Sequence, residues 1–288
     1  MQKRIPVVFI HEGNQKYLKN TVGFAEKNNV EVYLLGNDKN SDYCKKWFDI
    51  SLFKTEVIQE FRKYYKHMSC NPRCFEMLCF ERYFILFEFV RQMKFECVCM
   101  VDSDNILYTD VRRIFKESDK VYFSYKITDG NRIESGSSSG HCAYWPIAKL
   151  KSFCEFIINT YKNDDGQLKR LYNKKRKTVN ASISDMDFLD MWGSLNIKNI
   201  KSTDLEKGGY ILDHNVNVGQ SFEEWPLIRI KKTVFIGEKV FFIKNRKKIR
   251  VHAIHAQGNA KKYIPIFCKM KNGRLKYYLI YLKEYLLN

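Results

Sequence analysis

Short unbroken apolar runs alternate along this chain with longer stretches in which apolar and polar residues mix. Ile5-Pro6-Val7-Val8-Phe9-Ile10 is the first such run and Val30 to Leu35 the second, closed by Gly36-Asn37. Between them His11 to Gln15 is turn-forming, and Tyr17 to about Asn28 reads as a helix. Strand, helix, strand in that order opens a doubly wound α/β domain, whose parallel strands are buried on both faces and so lack polar alternation. Asp42 to Lys66 reads as irregular and then helical. Asn71-Pro72 starts a helix, and Cys74 to Met93 predicts a long, mostly buried one that carries a cation, Arg82. A buried arginine needs an anion to offset its desolvation, supplied either inside the fold or by a ligand phosphate.

The run Cys97-Val98-Cys99-Met100-Val101 predicts a buried strand that ends in Asp102-Ser103-Asp104-Asn105. Ligands of open α/β sheets bind at such strand ends, and carboxylates one residue apart reach a single hard cation from one bend. A calcium loop is excluded, because Ile106 and Leu107 stand where that loop needs Asp or Asn and then Gly. Asp110 to Phe115 reads as a short helix and Lys120 to Tyr125 as a strand. Glu134 to Gly140 is a plain loop or a small-residue floor for a ligand, and its position inside the fold favours the floor. Ala143-Tyr144-Trp145-Pro146 then leads into a helix from about Ile147 to Tyr161. Lys169 to Lys177 reads as a solvated basic loop or a patch facing an acceptor or membrane. Ser184-Asp185-Met186-Asp187 places two acids at a helix start, where capping is the alternative to chemistry. Val251 to His255 is strand-like and breaks into Ala256 to Lys262. His255, Gly258 and Lys261 would supply an imidazole for a borderline metal, a close backbone approach and a cation for phosphate.

With 288 residues, 45% of them hydrophobic, the chain is long enough for one large α/β domain, 1–264, followed by a short segment, 265–288. Leu275 to Leu287 is aromatic and basic, which suits an amphipathic segment on an anionic membrane or a helix packed on the domain. No apolar run approaches the ~20 residues of a membrane-spanning helix. Nine cysteines without a Cys-x-x-Cys pair point to a reduced, intracellular protein, and His67, Cys70 and Cys74 have poor spacing for zinc. The net charge of +18 fits a polyanionic partner: nucleic acid, an anionic membrane surface or a phosphorylated small molecule. No nucleic-acid-binding module is present, so no specific nucleic acid is expected.

Val101-Asp102-Ser103-Asp104, Phe80-Glu81-Arg82-Tyr83, Ser138-Ser139-Gly140, Ser184-Asp185-Met186-Asp187 and His255-x-x-Gly258-x-x-Lys261 resemble, in order and spacing, a known family. It is that of metal-dependent, GT-A-fold nucleotide-sugar glycosyltransferases, closest to the glycogenin and lipopolysaccharide galactosyltransferase-like group (glycosyltransferase family 8-like). The resemblance spans residue 1 to about 264. It implies a Rossmann-like α/β fold with a mostly parallel central sheet. It implies Mn2+ (or Mg2+) on Asp102, Asp104 and His255, and a donor, UDP-linked in the expected case, held by Glu12, Asn14, Arg82, Ser103, Ser138, Gly258 and Lys261. Asp185 would hold the transferred sugar. The acceptor would be a glycan or lipid-linked hydroxyl in polysaccharide or lipopolysaccharide biosynthesis, and the enzyme cytoplasmic, peripheral on the inner membrane surface. Three departures stand out: Ser138 replaces the family's Asn, Met186 its Gln, and Lys262-Tyr263 a Pro-Trp. The Gln lies on the sugar's reactive face in retaining members. Retention is the expected course; an inverting one would use Asp185 or Asp187 as base, and an inert nucleotide-sugar or glycan-binding protein is the further alternative.

Overall fold

The computed structural model describes residues 4–125, 127–128, 131–132, 138–176, 182–217, 219, 221–225 and 229–269. The chain begins with strand Val7–His11 (β1), helix Lys16–Asn28 (α1) and strand Val32–Gly36 (β2), as the apolar spacing predicts. Trp47–Asp49 (β3), helix Glu56–Tyr64 (α2) and the long helix Arg73–Gln92 (α3) follow. Strand Cys97–Val101 (β4) is buried throughout and hands over, across the Asp102-Ser103-Asp104 bend, to Asn105–Leu107 (β5). Next come helix Val111–Ile114 (α4), strand Val121–Ser124 (β6), the short pair Ile127–Thr128 (β7) and Asn131–Arg132 (β8), and strand Ser139–Pro146 (β9). Helices Ile147–Lys162 (α5), Gln167–Lys175 (α6) and Asp185–Leu195 (α7) lead to strands Ile200–Ser202 (β10), Tyr210–Asn215 (β11), Thr233–Ile236 (β12), Lys239–Lys244 (β13) and Lys247–His255 (β14). Helix Ile264–Lys269 (α8) closes the described chain.

Seven strands form the central sheet in the order β10-β6-β9-β4-β1-β2-β3. Four of its six pairings are parallel, so the fold is α/β with a mostly parallel sheet. A second sheet, β11-β14-β13-β12, carries β5 on β14. β14 is long enough to pair first with β13 and then, past its end, with β5.

An aromatic core under α3, α5 and α7, including Phe61, Phe80, Tyr83, Trp145, Phe153 and Trp192, covers one face of the central sheet. A second cluster, with Phe9, Leu18, Val22 and Phe115, covers the other under α1. The third lies between the second sheet and α8 and includes Ile106, Tyr108, Ile264 and Phe267.

Two segments depart from the sequence reading. Ser139 and Gly140, read as the end of a loop or floor, instead open an eight-residue strand that runs on to Pro146, antiparallel to β4 on one side and β6 on the other. Burial on both faces erases its polar alternation, and its Ser-Gly start imitates a loop. The basic run is helical in α6, because Leu168, Leu171 and Tyr172 recur at helical spacing and pack on the core while Lys169 and Lys174 stay in water; Lys177 lies outside the described residues, as do Glu134 to Ser137. Helix α8 runs across the expected division at residue 264. Its Ile264, Ile266 and Phe267 are buried, and the Phe267 carbonyl accepts a hydrogen bond from the Tyr108 hydroxyl at 3.2 Å. Residues 270–288, with the basic aromatic stretch, lie outside the described residues. No helix among the described residues is long and apolar enough to cross a membrane.

If α8 belongs to the core, Phe267→Ala should lower the unfolding free energy by about 3 to 5 kcal/mol, the range for a buried phenylalanine. Urea denaturation measures this, and an unchanged midpoint would detach α8 from the domain.

Candidate metal centre

Backbone pairing brings two distant segments to one point. β5 runs antiparallel to β14 with His255 opposite Asn105, and the Ala256 amide donates to the Asp104 carbonyl at 2.9 Å. The bend that carries the two carboxylates is held from three sides. The Asp102 amide donates to the His141 carbonyl at 2.8 Å, the Asn105 amide to the Asp102 carbonyl at 3.0 Å, and Thr21 Oγ1 of α1 to the Ser103 carbonyl at 2.7 Å. After His255 the chain turns through Gly258, whose φ of 61° is in the region that favours glycine. That turn returns Lys261 to the site, its Nζ 3.2 Å from Asp104 Oδ2, while His255 Nε2 lies 3.3 Å from Asp104 Oδ1.

One potential ligand atom each from Asp102, Asp104 and His255 lie within 4.8 Å of one another. Burial pushes the Asp104 carboxyl up, but hydrogen bonding from His255 and the Lys261 charge outweigh it and take it down to about 2. Lys261 responds in the opposite sense: burial lowers it, and Asp104 more than reverses this. Two carboxylate oxygens and an imidazole nitrogen, one carboxylate held ionised, fit a hard to borderline divalent ion such as Mn2+ or Mg2+.

Arg82 projects from α3 to the same strand ends. Its Nη1 is 2.5 Å from Asp102 Oδ1 and its Nη2 2.6 Å from Asp185 Oδ2, so its counter-ions lie within the fold. Tyr83 Oη also donates to Asp185 Oδ2, at 3.2 Å. Gly140 makes room for that hydroxyl, since a Cβ there would lie 2.5 Å from Tyr83 Oη. Burial raises the Asp185 carboxyl, and Arg82 offsets only part of the rise. Asp187, two residues on, is engaged elsewhere. It closes a capping box with Ser184, accepting from the Ser184 amide at 2.9 Å, and pairs with Lys175 at 2.5 Å.

The remaining candidates lie at various distances from this centre. Glu12 follows β1 and pairs with Lys54 at 2.7 Å, and Asn14 is exposed, its carbonyl accepting from Tyr43 Oη at 3.2 Å. The Ser138 hydroxyl donates to Asp190 Oδ1 of α7 at 3.0 Å. Met186 is 37% exposed beside Asp185.

Sequence reasoning missed His141 and Asp213. His141 is paired with Asp213, and its ring stacks on that of His255 with centroids 4.2 Å apart. Burial lowers His141, but Asp213 more than reverses this and holds the imidazole above its usual range. A titratable residue inside the apolar run His141-Cys142-Ala143-Tyr144 was the available signal. Tyr17 was missed as well; its ring lies under Lys261 Nζ at 5.3 Å to the centroid.

No protein-family model matches the chain. No curated protein matches it either. Solved structures do. An active-site mutant of LgtC is 12% identical with a TM-score of 0.50, over 95% of this chain and 99% of that one. The galactosyltransferase LgtC in complex with donor and acceptor sugar analogs is 10% identical with a TM-score of 0.50, over 94% and 97%. Mouse xyloside xylosyltransferase 1 is 10% identical with a TM-score of 0.49, over 73% and 87%. The chain thus shares the GT-A fold of LgtC.

Arg82→Met should cost about 3 to 5 kcal/mol, because it leaves the buried Asp185 carboxylate without its cation. In the variant Asp185 titrates at a still higher pH when folded than when unfolded, so the loss should be full at neutral pH and shrink on acidification. Urea unfolding at pH 7 and pH 5 tests this; equal losses at both would clear Asp185 of responsibility.

Proposed function

We propose that this protein is a metal-dependent glycosyltransferase that moves a sugar from a nucleotide-sugar donor to an acceptor hydroxyl. The observation that carries this reading is the meeting of Asp102, Asp104 and His255 beside Lys261, at the strand ends of a sheet arranged as in LgtC. LgtC is a galactosyltransferase solved with donor and acceptor sugar analogs. Asp102, Asp104 and His255 would hold Mn2+ or Mg2+, which when bound supplies positive charge for a diphosphate leaving group.

Breaking the sugar to phosphate bond builds negative charge on the diphosphate and positive charge on the sugar ring. Lys261, kept charged by Asp104, would stabilise the former. Arg82 bonds to Asp102 and Asp185 at once and holds both side chains in one orientation. Asp185 would bind the transferred sugar, and Glu12, Asn14, Ser103, Ser138 and Gly258 are assigned to the donor from the family resemblance. A UDP-linked hexose is the donor we favour, with a glycan or lipid-linked acceptor.

We favour a retaining course. An inverting enzyme needs a carboxylate base opposite the leaving group, and Asp187 is already bonded to the Ser184 amide and Lys175, which leaves Asp185 as the candidate for that role. In a retaining course the acceptor hydroxyl would attack on the face the diphosphate leaves, giving its proton to a departing phosphate oxygen. The charge of +18 suits an acceptor at an anionic surface, and we assign the enzyme to the cytoplasmic face of a membrane.

In a thermal-shift screen, one nucleotide sugar should raise the melting temperature with Mn2+ and fail to do so without it. Asp104→Ala should abolish that dependence and reduce transfer by about 100-fold or more, as expected when several kcal/mol of charge stabilisation are lost. Full transfer by a folded Asp104→Ala protein would sink the assignment, and NMR of the anomeric proton of the product separates retention from inversion.

A further inference from the structure

The His141–Asp213 pair reaches every residue of the candidate ligand set, directly or through one neighbour, without belonging to it. His141 is 7% exposed on β9, and both its ring nitrogens are engaged: Nδ1 lies 2.6 Å from Ser139 Oγ, and Nε2 forms the ion pair with Asp213 Oδ2. Its ring lies flat against that of His255, at an interplanar angle of 18°. Its carbonyl accepts the Asp102 amide at 2.8 Å and the Asn105 side-chain amide at 3.4 Å. Asp213, 1% exposed on β11, accepts from Asn105 Nδ2 at 3.0 Å, and Asn105 is the residue that follows Asp104 and faces His255 across the ladder. The network therefore reaches Asp102 through the backbone, Asp104 through Asn105 and His255 through the face of its ring.

Stability does not account for such a pair. Burying a polar or ionic pair can cost more in desolvation than the pair recovers, and well-packed apolar residues often replace one at no loss. What it can supply is orientation. Imidazoles that bind metals are held by neighbours that fix the ring plane, and losing those neighbours typically weakens metal binding by 10- to 100-fold.

We propose that His141, anchored by Asp213, is a positioning residue of the metal centre: its ring sets the plane of His255, and Asp213 fixes the backbone of Asp104 through Asn105. This rests on the reading of Asp102, Asp104 and His255 as metal ligands. With both nitrogens engaged, His141 is not itself a ligand.

The test is Mn2+ affinity of the full chain without donor, read from free Mn2+ by electron paramagnetic resonance. Single substitutions leave the other member of the pair buried without its partner, so the informative variants replace both and differ only in the aromatic plane: His141→Leu with Asp213→Asn, and His141→Phe with Asp213→Asn. The Leu/Asn protein should bind Mn2+ about 10- to 100-fold more weakly than the wild type. The Phe/Asn protein should recover most of that loss. Pulsed resonance should show the nitrogen coupling of a coordinated imidazole in the wild type and the Phe/Asn protein, and a diminished one in the Leu/Asn protein. Circular dichroism establishes that each is folded; should the Leu/Asn protein fail to fold, His141→Gln with Asp213→Asn, which also lacks the ring, takes its place. Wild-type affinity in a folded protein that lacks the ring would overturn the proposal and leave the pair structural. A wild-type chain that binds no Mn2+ would instead refute the metal reading itself.

Discussion

Three residue pairs of β-ladder, Leu107 with Ala253, Ile106 with Ile254 and Asn105 with His255, hold the candidate site together. They join a strand that continues directly from β4 of the central sheet to the long strand of the second sheet. Because side chains alternate along a strand, a slip of one residue would turn His255 to the opposite face and carry Lys261 away with it. Apolar burial resists that slip, since Ile106 and Ile254 share a core cluster with Tyr108 and Phe267. The packing of α8 thus bears on the geometry of a site to which α8 contributes no ligand.

The second constraint is charge in a medium of low dielectric. Asp102, Asp104, Asp185 and Asp213 are four carboxylates, and the Lys or Arg side chains paired with them are two, Arg82 and Lys261. A cluster with more acids than such cations favours a bound cation. Each attraction is stronger here than in water, by a factor of about four at an effective dielectric constant near 20. An unpaired member would be correspondingly costly. That explains why each acid of the cluster has a specific partner, and why Gly140 gives up a side chain so that the Tyr83 hydroxyl can reach Asp185.

How much of this could be read in the sequence depended on whether the deciding interaction was local. β1, α1, β2, α3 and β4 were legible because an apolar run flanked by turn residues, or a long apolar helix, states its own environment. Asp102 and Asp104 were legible as the abrupt end of such a run. β9 was not, because a central antiparallel strand that starts with Ser139-Gly140 has no local mark of its two partners. β10 and β11 escaped notice because they pair in parallel with β6 and β14, segments far from them in the chain; β12 and β13 were missed although their hairpins, Ile236 to Lys239 and Lys244 to Lys247, are local. The His141–Asp213 pair spans 72 residues by the difference of their numbers and depends on β11 lying beside β14. Asp185 and Asp187 looked equivalent because capping and ion pairing draw on the same residue type at the same helix start. The geometry separates them: Asp187 serves the helix it begins, and Asp185 faces Arg82.

Arg82 raises a question of competition, since Asp102 cannot serve a cation with a lone pair already given to guanidinium. The conflict is only apparent. A carboxylate offers about four acceptor positions on two oxygens, and Arg82 Nη1 uses one of them, on Oδ1. Asp102 is 28% exposed at its side chain, against 9% for Asp104, so its remaining positions face the more open side. Arg82 then fixes the side chain that a metal would otherwise have to order, which reduces the entropy cost of binding. The same guanidinium holds Asp185 on α7, so the residue that would touch the sugar and one that would hold the metal share a rigid bridge. A displacement of α7 is thereby transmitted to Asp102 through two charge-assisted hydrogen bonds, at 2.6 and 2.5 Å. On the reading proposed above, the groups that would hold the metal and the sugar are thus joined through Arg82.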